Sequence, residues 1–370
     1  MNFSTSKKAL QKALQKLIKA TPTRSTLPIL NCVFIKTIKT KTILRATDLE
    51  ITIQIEIPTS IEKEGSICLP IKTLLDITNE LPETRITILE KNYKTTIQTE
   101  FGEYNLMAKP ADEFPAIPKV DDKKSFEIPG DVLKKIIKKT FFAISKDELK
   151  PALTGVLFRI KDSIITTVST DGHRLVRYIR KEKLLNKTEG DFIAPRKFLN
   201  FLQTQDLNKT VQLLLGDNYI AANLNKDTVI TRLIDERFPD YNSVIPKENN
   251  KKLKVLKNEF LSAIKRVSIF SNKSTHQVAL SLKEKNTCEI LTEDPEKSSK
   301  AKETISVEYK GEDLTIGYNA EYLKDVVSHI STDEVLIKFS TSISAALFSS
   351  NKKEEKTETL MLLMPIRLND

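Results

Sequence analysis

Glycine is scarce in this 370-residue chain, nine in all. No GxGxxG occurs, nor any GxxxxGK followed by Ser or Thr, so nucleotide binding on a glycine-rich phosphate cradle has no support. The three cysteines, Cys32, Cys68 and Cys288, are scattered and form no CxxC. That removes the basis for a zinc site or a disulfide framework. Each thiol sits in an apolar stretch, as a small buried side chain does in a reducing compartment. The three histidines, His173, His276 and His329, share neither HExxH nor HxH spacing. No metal and no cofactor is expected. No apolar run approaches the roughly 20 residues of a membrane span. The opening Met1-Asn2-Phe3-Ser4-Thr5-Ser6-Lys7 lacks the apolar core of a secretory signal, so a cytoplasmic protein without membrane association is expected. Acidic residues are absent before Asp48, whereas ten basic ones stand between Lys7 and Arg45. The formal net charge is +10, which makes a polyanion a plausible partner.

What is present is repetition, with a period near 120 residues. Leu10 and Leu133 stand 123 apart, each in the opening of an amphipathic helix. Leu10, Leu14, Leu17 and Ile18 make one apolar stripe, and Leu133, Ile136 and Ile137 a second. Phe260, Leu261, Ile264 and Val267 make a third, with Asn258 as the expected N-cap. Strand-like runs follow each helix: Ile29 to Ile35, Leu153 to Ile160 and Val278 to Leu282. Leu44-Arg45-Ala46-Thr47-Asp48-Leu49 aligns with Val168-Ser169-Thr170-Asp171-Gly172, again 123 apart at the aspartates. A second helix starts after Pro70, after Pro195 and after Asn319. Alternating runs such as Arg85-Ile86-Thr87-Ile88-Leu89 read as half-buried strands. The pattern predicts an α+β fold of three repeated domains, 1–118, 119–246 and 247–370, each with two helices packed on antiparallel sheet.

The first helices carry lysines away from their stripes: Lys8, Lys12, Lys16 and Lys19, then Lys134, Lys135, Lys138 and Lys139, then more sparsely Lys257, Lys265 and Arg266. Lys72, Arg196, Lys197 and Lys324 stand on the second helices. A solvated face explains any one helix; recurrence over three repeats suits phosphate neutralisation without base reading. The middle repeat alone continues its strand end as Gly172-His173-Arg174-Leu175. From the residues, this is the start of a catalytic or metal constellation using Asp171 and His173, or the rim of a binding surface.

Six motifs in order then carry a resemblance over the whole chain: Thr26-Leu27-Pro28-Ile29-Leu30, Thr47-Asp48-Leu49-Glu50, Ser169-Thr170-Asp171-Gly172-His173-Arg174-Leu175, Pro195-Arg196-Lys197, Arg237-Phe238-Pro239-Asp240-Tyr241 and Met364-Pro365-Ile366-Arg367-Leu368. The chain resembles the bacterial sliding-clamp family, the β subunit of DNA polymerase III. The resemblance implies three DNA-clamp domains and a head-to-tail homodimer whose six domains ring duplex DNA. It implies a non-catalytic processivity factor that tethers the polymerase III catalytic subunit, the clamp loader and repair or translesion polymerases by short hydrophobic peptides. The implied peptide groove is Leu153, Thr170, Gly172, His173, Arg174, Leu175, Pro239, Val244, Ile343, Leu363, Met364, Pro365, Ile366 and Arg367. The implied DNA contacts are Arg24, Lys72, Arg196 and Lys197, and the implied dimer seam packs Tyr104 and Leu106 against Ile269 and Phe270. Ser243 stands where several relatives have an arginine, and Asn369-Asp370 extend the usual tail. A basic DNA-binding repeat protein that does not close into a ring, and a hydrolase or metal enzyme, are the alternatives.

Overall fold

The computed structural model describes residues 1–120, 124–181, 189–352 and 356–368, so the extension Asn369-Asp370 lies outside them. Among the described residues are α1 Lys7–Leu17, α2 Ile71–Glu80, α3 Gly130–Thr140, α4 Arg196–Gln203, α5 Lys257–Ser268 and α6 Ala320–Ser328. That is two helices per repeat, as the apolar stripes predict. In α1 the stripe Leu10, Leu14 and Leu17 is wholly buried. Each such leucine contributes about 1.5–3 kcal/mol relative to exposure.

The first helices share an anchor. The backbone N–H of Lys7 donates to Thr84 O (2.9 Å), that of Gly130 to Lys209 O (3.1 Å) and that of Lys257 to Asp333 O (2.8 Å). Helix starts leave N–H groups without intrahelical partners, and here the carbonyl just ahead of a strand satisfies the first of them in all three repeats. This is why Asn258 is not the cap of α5. The helix begins two residues earlier than that cap would place it, Leu256 is its N-cap, and no side chain caps it. Two strand expectations also start too early. Pro28–Asn31 and Pro151–Leu153 are 3-10 turns, and the strands begin at Cys32 and Gly155.

The chain forms two compact units, Met1–Leu133 with Lys197–Leu233, and Lys134–Arg196 with Ile234–Asp370. The first holds a five-stranded and an eight-stranded sheet. In the eight-stranded sheet the first-repeat strand Ile51–Pro58 pairs antiparallel with the central-repeat strand Asp227–Arg232. The second unit holds a nine-stranded and a four-stranded sheet. In the nine-stranded sheet Arg174–Lys181 of the central repeat pairs with Thr357–Leu363 of the third. Sheets that run through both junctions explain why the compact units cut across the repeats.

All three cysteines are buried and free. Burial pushes the Cys68 and Cys288 thiols up to about 12, so neither is a ready thiolate. No helix among the described residues is long and apolar enough to cross a membrane.

Candidate functional site

The loop between the strands Ile164–Thr170 and Arg174–Lys181 is held by side chains bonding to nearby backbone. Thr170 Oγ1 donates to Arg174 O at 2.7 Å and accepts from Gly172 N at 3.1 Å. Asp171 Oδ1 accepts from His173 N and Arg174 N, both at 3.0 Å. The first repeat builds the same turn. Thr47 Oγ1 donates to Ile51 O (3.0 Å) and accepts from Leu49 N (3.1 Å). Asp48 Oδ1 accepts from Glu50 N (3.0 Å) and Ile51 N (2.9 Å). Both turns need a left-handed residue second after the threonine, Gly172 at φ 91° and Leu49 at φ 75°. The threonine and aspartate are therefore turn formers. The remaining Asp171 oxygen, Oδ2, accepts from Arg174 Nε at 3.0 Å. With both oxygens engaged by the turn, Asp171 is not placed as a general base. Among the described residues no group of three or more His, Cys, Asp or Glu could hold a metal ion.

The exposed His173 ring lies nearly parallel to Tyr322, with centroids 5.6 Å apart. Arg174, expected at the groove, is turned inward and is only 9% exposed. Its Nε meets Asp171, its Nη1 meets Asp325 Oδ2 at 2.5 Å and its Nη2 meets Phe142 O at 2.8 Å. The guanidinium carbon lies 4.6 Å from the Tyr322 ring centroid and 5.4 Å from that of Phe142. All three nitrogens thus have partners inside the fold, and Arg174 positions the loop.

The tail is tied to this loop. Met364 N donates to His173 O at 2.8 Å, and Ile366 N donates to Gly317 O at 2.9 Å. A Cβ on Gly317 would lie 2.6 Å from the Leu368 side chain and 2.8 Å from Ile366 O, so glycine is what lets the tail lie on the strand Leu314–Asn319.

Register then sorts the apolar residues. Leu175 stands opposite Leu362, and both pack with Leu157, Ile193, Tyr241 and Ala345. Ala152, Phe238 and Ile245 border this cluster. Leu363, expected in the groove, is fully buried in a different core that includes Val176 and Phe348. Successive strand residues face opposite sides of a sheet, so Leu362 takes the place expected of Leu363. The missed signal is the pairing of the tail with the strand that holds Leu175. Leu153 is nearly covered at 8%, and Thr170 is half-buried. Val244, Ile343 and Met364 are exposed large apolar side chains on the segments that meet at the cluster. Pro239 and Arg367 are exposed, while Pro365 and Ile366 are half-buried. Ser243 is used locally, its Oγ donating to Asp240 O at 2.7 Å.

The cationic candidates divide. Arg24 and Lys72 are exposed. Arg196 lies 5.4 Å from the Phe141 ring centroid. Lys197 Nζ is shared by Asp48 Oδ2 (2.8 Å) and Glu50 Oε2 (3.0 Å). Burial opposes its charge, but these hydrogen bonds outweigh that and raise its pKa above the ordinary lysine value. Lys16 pairs with Asp227 at 2.6 Å. Lys139 does not belong to an open lysine face, being 8% exposed with Nζ donating to His329 O at 2.6 Å.

The strand Gly102–Met107 is an edge of the five-stranded sheet, with Tyr104 and Leu106 half-buried on one face. Ser299–Ser306 is an edge of the four-stranded sheet. Ile269 (77%) and Phe270 (45%) are exposed just past α5.

Three repeats of two helices on antiparallel sheet, continued strand to strand across their junctions, define the DNA-clamp class of proteins. Family models match the chain from end to end: the N-terminal, central and C-terminal domains of the DNA polymerase III beta subunit, at residues 1–118, 127–240 and 242–367. The chain belongs to this family. It is 30% identical over 375 residues to the beta sliding clamp of Haemophilus influenzae, covering all of both chains. It is 28% identical over 381 residues to that of Bacillus subtilis, covering 99% of this chain and 100% of the other. The crystal structure of the Bacillus subtilis sliding clamp superposes with a TM-score of 0.95 at 28% identity over the full length of both chains. A Pseudomonas aeruginosa clamp bound to griselimycin gives a TM-score of 0.92 at 29% identity, again over both full lengths. The protein is thus a sliding clamp, a non-catalytic subunit that serves DNA replication by closing as a dimer around DNA and holding the polymerase there.

Proposed function

We propose that the loop at Thr170 to Leu175 and the tail at Met364 to Arg367 form the docking site for the short hydrophobic motifs of the polymerase III catalytic subunit, the clamp loader and repair or translesion polymerases. The observation that carries this reading is the apolar floor of Leu175 and Leu362 with the exposed Val244, Ile343 and Met364 on the segments around it. Such a concave apolar site with a few polar groups at its edge suits a peptide side chain. His173 and the exposed backbone at Gly172 supply the polar edge, while Arg174 and Leu363 hold the wall from behind.

DNA retention belongs to the closed ring, so contacts can stay weak and independent of sequence. Arg24, Lys72, Arg196 and Lys197 are the proposed phosphate contacts. For Lys197 a phosphate competes with Asp48 and Glu50. Tyr104 and Leu106 pack against Ile269 and Phe270 of the partner subunit in the proposed seam. The clamp domains are taken as 1–118, 119–246 and 247–370, acting in the cytoplasm at the nucleoid. Deleting Met364–Asp370 tests the site. A fluorescent hydrophobic peptide from a clamp partner should lose at least about tenfold in affinity, roughly 1.4 kcal/mol, while the dimer mass stays unchanged. Unchanged peptide affinity would refute the docking site.

A further inference from the structure

The two edge strands, Gly102–Met107 and Ser299–Ser306, are repeat counterparts of strands already paired inside the chain. At the first junction Ile51 faces Thr231 and Gln54 faces Thr228. At the second Arg174 faces Leu363 and Arg177 faces Leu360. Ile51 and Arg174 each stand three residues after the turn aspartate, so the two junctions share one register.

That register extends to the unpaired edges. In the first repeat, pairing leads from Phe3 through Ile88 and Ile97 to Tyr104. In the second it leads from Phe126 through Leu213 and Ala222 to Val229. Tyr104 therefore corresponds to Val229, and Glu103 to Thr228. On the other side, Gly155 pairs with Pro195 just before α4, and Gln277 with Asn319 just before α6. Two residues on, Leu157 leads through Val168 to Arg177, and Ala279 leads through Leu291 to Lys302. Lys302 therefore corresponds to Arg177 and Gln54. Closing the outstanding junction in the shared register puts Lys302 opposite Glu103, Lys300 opposite Asn105 and Ala301 opposite Tyr104.

The side chains fit this register. Glu103 and Asn105 are exposed on one face of their strand, and Lys300 and Lys302 on one face of theirs. The small Ala301 leaves room for the Tyr104 ring on the other face. Lys302 lies 2.6 Å from Glu289, and Glu103 accepts from Gln98 at 2.8 Å, so an approaching edge would complete a Glu289–Lys302–Glu103 row. Opposite charges directly across an antiparallel pair stabilise it, and like charges there destabilise it.

We infer that this protein's ring is closed in a single register by a charge-paired β-seam, Lys302 of one copy standing directly opposite Glu103 of the partner subunit. The inference rests on the head-to-tail dimer above and adds its register and its charge code.

Charge exchange tests it. Lys302→Glu alone and Glu103→Lys alone each place like charges at both seams. Each should weaken dimerisation by about tenfold or more in sedimentation, since two pairs change sign. Mixing the two variants should recover near wild-type association, because the mixed dimer has one native and one exchanged pair. An altered contact with Glu289 inside one chain cannot produce that recovery. Wild-type association by the single variants, or no recovery on mixing, overturns the charge pairing. Cysteines test the register. A chain with Glu103→Cys and Lys302→Cys should oxidise to a covalent dimer, as directly opposed residues lie within disulfide reach. A chain with Glu103→Cys and Lys300→Cys should not, as diagonal neighbours lie too far apart. The reverse outcome overturns the register and leaves the dimer standing. A wild-type chain that sediments as a monomer at every concentration removes the ring reading and this inference together.

Discussion

Arg174→Ala separates a residue that holds the proposed docking loop from one that touches the peptide. The Arg174 and Asp171 side chains are 10% and 12% exposed, whereas Asp325 is 48% exposed. Breaking an enclosed ion pair costs about 3–5 kcal/mol because one charge is stranded. The lower end applies, since Asp171 keeps two backbone N–H donors. The half-exposed pair with Asp325 is screened and adds less than about 1 kcal/mol. The expected loss is therefore about 3 kcal/mol. For a cooperative unit of 150–250 residues that lowers Tm by roughly 6–12 °C, read by calorimetry on the transition of the unit containing the loop. Peptide affinity should fall with it, because the loop that carries Gly172 and His173 loses its anchor. Arg174→Lys should recover less than half of either loss, as one ammonium cannot reach three acceptors in a planar fork. A Tm within about 2 °C of wild type together with a lost peptide affinity would refute the positioning role and return the guanidinium to the peptide.

Two further perturbations probe the same neighbourhoods. Leu49 holds φ 75° while 52% exposed, so Leu49→Gly should relieve left-handed strain of about 1–2 kcal/mol, less the glycine's greater chain entropy of about 0.5–1 kcal/mol. A small gain in urea midpoint is expected, and a loss would show that the leucine's packing outweighs its strain. His329 stacks on Phe142 with centroids 4.0 Å apart, and burial, ahead of its other surroundings, lowers its pKa below 6.5. The unfolded chain then binds a proton near pH 6.5 that the folded chain refuses. Stability from this group is intact above that pH and falls, by up to about 1.4 kcal/mol per pH unit, as pH drops toward the folded value. His329→Phe should flatten that part of the pH–Tm curve, and an unchanged slope would assign it to other groups.

The repeat was legible because it is written in spacings that survive without contacts: helix stripes, the Thr-Asp strand ends and the proline before a second helix. The geometry of the proposed docking site was legible only as far as the turn. Leu360-Met361-Leu362-Leu363-Met364 is apolar throughout, since residues on both faces of that strand become covered. Alternation therefore gives no phase, and Leu363 cannot be told from Leu362 until the partner strand is known. Arg174 reads as a surface cation because its partners Phe142 and Asp325 lie 32 and 151 residues away. Lys139 follows the helical spacing of its neighbours, yet it turns to the carbonyl of His329, which no local pattern contains. Asn258 has cap chemistry but lies two residues past the N-cap Leu256, and the carbonyl of Asp333 meets the first helix N–H instead.

The two copies of the Thr-Asp turn differ in a way that bears on why the docking site is proposed at only one of them. In the first, Asp48 and Glu50 point acids at Lys197 on α4 of the following repeat. In the second, Arg174 points a cation at Asp325 on α6 of the following repeat. One backbone thus serves as an ion-pair bracket at successive junctions, with the sign reversed. The reversal matters at the next residue. A bracket made of acids uses the exposed position after Leu49 for Glu50. A bracket made by Arg174, one position further along and turned inward, leaves Gly172 and the His173 side chain outside the ion pair and exposed. Those two positions, with the tail tied to the carbonyl of His173, are where the middle copy can accommodate a partner. The proposed docking surface thus shares its turn with a junction ion pair, and in that proposal the residues left for peptide contact are those whose side chains the ion pair does not use.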